Sequence, residues 1–143
     1  SPNSLNKTGF VKSEIVGGNL SILYSLLGSK SDIKTDNKIL FIEDLDEYLY
    51  HVDRMIISLK RAGKFNNIKA MIVGSMTKMH DNKIKFGMNA KEIIKYHTKE
   101  FNFPVCFNFP AGHQKNNRPI VLGKVSKLDI RSNLVCLSQS ITL

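Results

Sequence analysis

Lys38-Ile39-Leu40-Phe41-Ile42-Glu43-Asp44-Leu45-Asp46-Glu47 is the stretch that decides the fold of this chain. An unbroken apolar run, Ile39 to Ile42, stops abruptly at an acidic cluster, and a run without alternation suits a strand covered on both faces. Helical spacing follows. Between Tyr48 and Ala62 the residues Leu49, Val52, Ile56 and Leu59 share one stripe, broadened by Met55 and Ala62, while His51, Asp53, Arg54, Lys60 and Arg61 lie mainly off it. Gly63 ends the helix, and Ile68 to Gly74 read as the next strand. Strand, helix and strand make a β-α-β unit with parallel strands and a right-handed crossover. Open α/β sheets place their chemistry at the carboxyl ends of such strands, where loops border a crevice that helices do not cover. Glu43 stands at that end.

Working outward, Gly17-Gly18-Asn19 precedes Leu20, Leu23, Leu26 and Leu27, which predicts a short helix capped by Asn19 and stopped by Gly28. Ser75 to Gly87 is a polar connection. Asn89-Ala90-Lys91-Glu92 then has the spacing of a capping box ahead of Ile93, Ile94 and His97. Phe103 to Phe109 forms a third apolar run, and Gly112-His113 follows it. The tail changes character: Pro119 to Gly123, Lys124 to Ile130 and Leu134 to Gln139 alternate or run short about an Arg131-Ser132-Asn133 turn, as in an antiparallel β element. The expected fold is a small α/β domain over residues 9–143, with a parallel sheet, flanking helices and an antiparallel C-terminal β element. Residues 1–8 are polar and read as a linker or expression remnant.

Composition narrows the function classes. A 42% hydrophobic, 23% charged chain of 143 residues supports one buried core, and no apolar stretch approaches the ~20 residues that span a bilayer. No membrane association is expected. The net charge of +9, from 21 Lys+Arg against 12 Asp+Glu, comes mainly from scattered lysines without an arginine-rich helix or aromatic-basic signature, so no nucleic-acid partner is expected. Cys106 and Cys136 are far apart and belong to no Cys-x-x-Cys pair, and read as reduced core thiols rather than a disulfide or zinc site.

Glu43 and His113, each at the end of an apolar run, have the residue types of two thirds of a catalytic triad. A serine hydroxyl needs an imidazole to take its proton, and the imidazole needs a carboxylate on its other nitrogen to fix the tautomer and stabilise the imidazolium. No serine or cysteine here sits in the Gly-x-Ser-x-Gly setting of a nucleophile elbow; Ser75 follows a strand and a glycine but lacks the second glycine. Gly18, Asn19, Asp44 and Gly112 are candidate site-lining or substrate-binding residues, Gly112 because a small residue beside His113 permits close approach. Asp44, Asp46 and Glu47 also suit the first turn of the following helix, whose dipole favours anions, and Glu47 suits a pair with Arg54. His51, His80 and His97 lack ligand spacing and read as solvated. Gly17-Gly18-Asn19 lacks the lysine and full glycine spacing of a nucleotide loop, and no metal or other cofactor is expected.

Together, Gly17-Gly18-Asn19-Leu20, Ile39 to Asp44, Glu47, Tyr50, Asp53-Arg54-Met55, Leu59, Ala62-Gly63, Gly74, Gly112-His113 and Leu122-Gly123 resemble the C-terminal domain of the LD-carboxypeptidase and microcin-immunity serine peptidases. The motifs run in family order from about Gly9 to Leu137. The resemblance implies a swivelling β/β/α domain, a separate N-terminal α/β domain bearing the nucleophilic serine, and Glu43 and His113 as the triad partners of that serine. It further implies homodimers, a cytoplasmic location, and removal of a terminal D-amino acid from murein peptides in peptidoglycan recycling. A related branch of the family cleaves the amide of peptide-nucleotide antibiotics, and a non-catalytic binding or regulatory domain that keeps the fold is the other alternative. Leu49 stands where the family commonly has proline, and His51 where it commonly has arginine.

Overall fold

The Ile39–Ile42 run forms the middle of a curled six-stranded sheet. The computed structural model describes residues 3–140, in the order β1 (Gly9–Asn19), α1 (Leu20–Ser25), β2 (Ile39–Leu45), α2 (Leu49–Arg61), β3 (Ala70–Thr77), α3 (Ala90–Thr98), β4 (Val105–Cys106), β5 (Val125–Ile130) and β6 (Val135–Gln139). The strands lie side by side as β4-β3-β2-β1-β5-β6. β2 pairs in parallel with both β1 and β3, and β3 with β4, which is the expected β-α-β core. β5 and β6 form the expected antiparallel hairpin. The mixed α/β class read from the sequence is therefore the observed one.

Period-two alternation sorts the buried strand residues onto two faces. Leu40 and Ile42 join Val52, Met55, Ile56 and Leu59 of α2 and Ile93 and Ile94 of α3. Ile39 and Phe41 point the other way, into a second cluster with Ile15, Ile72, Leu128 and Ile130. Each such side chain stabilises the fold by about 1.5–3 kcal/mol relative to exposure. The two clusters explain why β2 carries no alternation: both faces are covered.

β1 is the element the sequence reading left out, and it joins the two halves of the sheet. Its first part, Gly9 to Glu14, pairs antiparallel with β5, and its second part, Ile15 to Asn19, pairs parallel with β2. The switch of partner curls the sheet. Gly17 is required in the parallel part, where β1 runs beside Phe41, since a Cβ there would lie 1.9 Å from the Phe41 carbonyl oxygen. Asn19 caps α1 and the capping box of Asn89 and Glu92 starts α3, both as expected.

Several local expectations are corrected. Asp44, Asp46 and Glu47 do not cap α2; its N-cap is Tyr48, which makes no side-chain cap bond, and the first turn holds no acid. Glu47 pairs with His51 at 2.7 Å rather than with Arg54, whose guanidinium lies over the Tyr50 ring. His97 is buried, not solvated, and bonds Asp53 at 2.7 Å, which locks α3 to α2. Ala62 is exposed, off the stripe it was expected to broaden. Cys106 is a buried thiol, but Cys136 is exposed, because β6 is an edge strand. Pro119–Gly123 is loop, and of the Phe103–Phe109 run only Val105–Cys106 enters the sheet. On the outer side of β4, Lys7 and Val105 exchange backbone hydrogen bonds of 2.9 and 3.1 Å, so residues just before Gly9 extend the sheet edge.

Candidate active site

The site is built on the carboxyl ends of β2 and β3. Glu43 follows Ile39 and Phe41 onto the face away from the helices, and it is 5% exposed. Opposite it β3 carries an irregularity: Ile42 pairs with Val73, but Asp44 pairs with Met76, so β3 has one extra residue at Gly74-Ser75. A bulge of this kind re-aims side chains beside it. Gly74 lies against the base of Glu43 and against the Phe41 ring, with its hypothetical Cβ 3.2 and 2.9 Å from them and 2.5 Å from the Ala111 carbonyl oxygen. Only glycine lets the Ala111–His113 segment cross this close to the strand ends.

That crossing brings together the two residues that lie 70 positions apart in the chain. The Glu43 Oε2 is 2.7 Å from His113 Nδ1 and accepts a second bond, of 3.2 Å, from the His113 backbone N–H. The histidine loop is held from three further sides. Ser75 N–H donates to the Ala111 carbonyl at 2.9 Å, the Thr77 hydroxyl donates to the His113 carbonyl at 2.8 Å, and Gly112 N–H donates to Asn117 Oδ1 at 3.0 Å. Thr77 and Asn117 escaped the sequence reading, since neither belongs to a recognisable pattern.

Gly112 sits over the pair at φ 107°. A Cβ there would be 2.6 Å from Glu43 Oε2, 2.6 Å from Ser75 Oγ and 2.9 Å from Glu43 Cβ. The expectation that a small residue beside His113 allows close approach thus has a specific geometry. Ser75 lies inside β3 with its hydroxyl buried, which is the opposite of the exposed position a nucleophile needs.

The other candidates divide. Asn19 is the direct neighbour of Glu43 across the β1–β2 ladder, and Gly18 is beside Ile42, with open space above its α-carbon. Asp44, expected to line the site, instead points to the helix face and is buried. Its carboxylate accepts from Asn19 Nδ2 at 2.8 Å, from Ser21 N–H at 3.0 Å and from Leu45 N–H at 2.8 Å, which ties α1 to β2. Burial raises its pKa, with those bonds opposing the shift.

The His113 side chain is 53% exposed, so one edge of the ring is anchored and the other open. The hydrogen bond that the ring makes to Glu43, followed by the charge of the same carboxylate, raises the imidazole pKa above its ordinary 6.5; desolvation opposes this and Asp44 adds to it. With Nδ1 facing the carboxylate, Nε2 takes no hydrogen bond among the described residues and is the nitrogen left to accept a proton from a group arriving from solvent. No group of three or more His, Cys, Asp and Glu among the described residues is placed to hold a metal ion. No described helix is long and apolar enough to cross a membrane.

Comparison with known proteins gives this geometry a context. Residues 12–128 match the LD-carboxypeptidase C-terminal domain family. The chain is 32% identical over 115 residues to the probable murein peptide carboxypeptidase of Bacillus subtilis, covering 80% of this chain and 36% of that protein. Among solved structures, the muramoyltetrapeptide carboxypeptidase of Oxalobacter formigenes superposes with a TM-score of 0.88 at 24% identity, over 98% of this chain and 48% of that one. The microcin C7 self-immunity protein MccF superposes with a TM-score of 0.83 at 24% identity, over 95% of this chain and 40% of that one. At that identity the structural likeness establishes the fold alone. The chain spans about a third of the length of the curated relatives it matches.

Proposed function

Because this chain belongs to the LD-carboxypeptidase C-terminal domain family, we propose that it is the acid–base half of a serine-type L,D-carboxypeptidase, with Glu43 and His113 as the partners of a serine carried outside these residues. One observation carries the reading. Glu43 Oε2 binds both Nδ1 and the backbone N–H of His113, which fixes the ring plane and the tautomer and leaves Nε2 free for a nucleophile.

In this mechanism a serine hydroxyl approaches His113 Nε2. His113 takes the proton as the oxygen attacks the carbonyl of the L,D-amide, and Glu43 stabilises the imidazolium that forms. The imidazolium then gives the proton to the departing amine of the D-amino acid. A water molecule repeats the sequence on the acyl-enzyme, its proton passing through the same nitrogen. The substrate is a murein-derived peptide, as the names of the relatives suggest. The rest of the proposal is a nucleophile-bearing α/β domain preceding residues 9–143, a homodimer, and a cytoplasmic place in peptidoglycan recycling.

The test is hydrolysis of an L,D-linked murein tetrapeptide by the full-length parent protein. His113→Ala should fold and lose D-alanine release by about four orders of magnitude in kcat. Retained turnover in that variant overturns the proposed pair. If the wild type is inert on the tetrapeptide but cleaves a peptide-nucleotide amide, the substrate assignment fails and the microcin-immunity alternative takes its place. Inactivity on both substrates leaves the non-catalytic binding domain.

A further inference from the structure

Ser75 is 6% exposed, and its hydroxyl is buried without a hydrogen-bond partner among the described residues. A buried hydroxyl that makes no bond is a net cost, and native folds rarely keep one without a reason. Alanine would fill the same space at no such cost. The hydroxyl also lies in a particular place, since Ser75 Oγ and Glu43 Oε2 are each 2.6 Å from the point where a Gly112 Cβ would sit. Both hydrogen bonds to the Glu43 carboxylate among the described residues come from His113 and fall on Oε2. A buried hydroxyl without an acceptor therefore lies beside the carboxylate that holds His113. The bulge in β3 has placed it there, and Gly112 roofs both groups.

We propose that Ser75 is a positioning residue for the Glu43–His113 pair: its hydroxyl donates to the Glu43 carboxylate by a rotation of either side chain, holding Oε2 toward His113 while the ring takes up and releases its proton. The inference rests on the proposed role of that pair, but it concerns a contact that can be read without any peptidase assay. The titratable groups bearing on His113 are Glu43 and Asp44. Asp44 is held on the opposite face by Asn19, Ser21 and Leu45, so a change at Ser75 reaches the ring through Glu43.

The test follows the His113 ring resonances by NMR against pH in this chain, for wild type, Ser75→Ala and Ser75→Gly. Without the hydroxyl, Glu43 populates other rotamers, and the His113 pKa falls toward its ordinary value by roughly half a unit in both variants. Glycine lowers stability and alanine does not, so an equal shift in the two separates the hydroxyl from packing. An unchanged or raised pKa in either variant overturns the inference, whatever the peptidase assay gives. In the active parent protein, Ser75→Ala should reduce kcat about tenfold with KM unchanged. Full kcat in that variant also overturns the inference while leaving the Glu43–His113 reading in place.

Discussion

Gly112→Ala is the substitution for which the structure dictates the outcome most directly. The backbone at φ 107° lies outside the region that residues with a side chain adopt readily, a strain of about 1–3 kcal/mol. The added methyl would also stand 2.6 Å from Glu43 Oε2 and Ser75 Oγ and 2.9 Å from Glu43 Cβ. The two oxygens are ends of side chains and can turn away, but the Cβ is fixed to a central strand packed on both faces. The loop must therefore rise, at an overpacking cost of about 1–3 kcal/mol. Together these predict a loss of roughly 3 kcal/mol and a fall in Tm of roughly 10 °C, read by thermal unfolding followed by circular dichroism. Lifting the loop breaks both bonds from His113 to Glu43 Oε2, so the His113 titration should return toward its ordinary value. If the full-length parent protein is the proposed peptidase, a misplacement of about 1 Å should cost on the order of 100-fold in its kcat/KM. A variant that melts within a degree or two of wild type and titrates as wild type does would refute the clamp.

Three further predictions concern Glu43, His113 and Asp44. Glu43→Gln keeps the shape but removes the charge that raises the His113 pKa, so the imidazole should titrate near 6.5 by NMR and kcat in the parent protein should fall by about 10³–10⁴. In the wild type the acid limb of kcat/KM should lie above pH 6.5, because the base must be neutral; since the folded pKa is the raised one, the stability from the imidazolium contact is complete below 6.5 and is lost as pH rises through the folded value, and urea unfolding from pH 5 to 8 should show this loss in wild type but not in Glu43→Gln. Asp44→Ala leaves three donors of Asn19, Ser21 and Leu45 without their acceptor, with an expected loss of about 2–3 kcal/mol and faster amide exchange in α1.

What the sequence made legible was whatever one side chain pattern could announce by itself. The unbroken Ile39–Ile42 run, the α2 stripe and the Asn89–Glu92 box each carry their own physics, and each formed where expected. β1 did not announce itself, because its faces are only half-buried and it changes partner midway between Glu14 and Ile15, so no single periodicity covers it. The pairing of Glu43 with His113 was legible only as two residue types at the ends of two apolar runs. The bulge at Gly74-Ser75, the Thr77 and Asn117 anchors and the clash surface of Gly112 are long-range consequences of sheet register. Acidic residues misled for a related reason: Asp44 looks like a cap for the helix that follows it, but the period-two turn of β2 points it at the helix that precedes it.

The arrangement divides rigidity unequally between the two partners. Glu43 is fixed by a strand covered on both faces, whereas His113 stands half exposed on a loop tied down through its backbone at Thr77, Ala111 and Gly112. In the proposed mechanism the carboxylate that orients the ring should be the immobile member, and the ring that meets an incoming group should have one nitrogen bound and one free. Burying the carboxylate beneath Gly112 also keeps water from competing for Oε2, which strengthens the contact on which the tautomer depends. The same burial leaves no room for a side chain at Gly74 or Gly112, whose added Cβ atoms would press on Glu43. Ser75, with its unpaired hydroxyl, is the neighbour whose bond is supplied by motion of the pair itself.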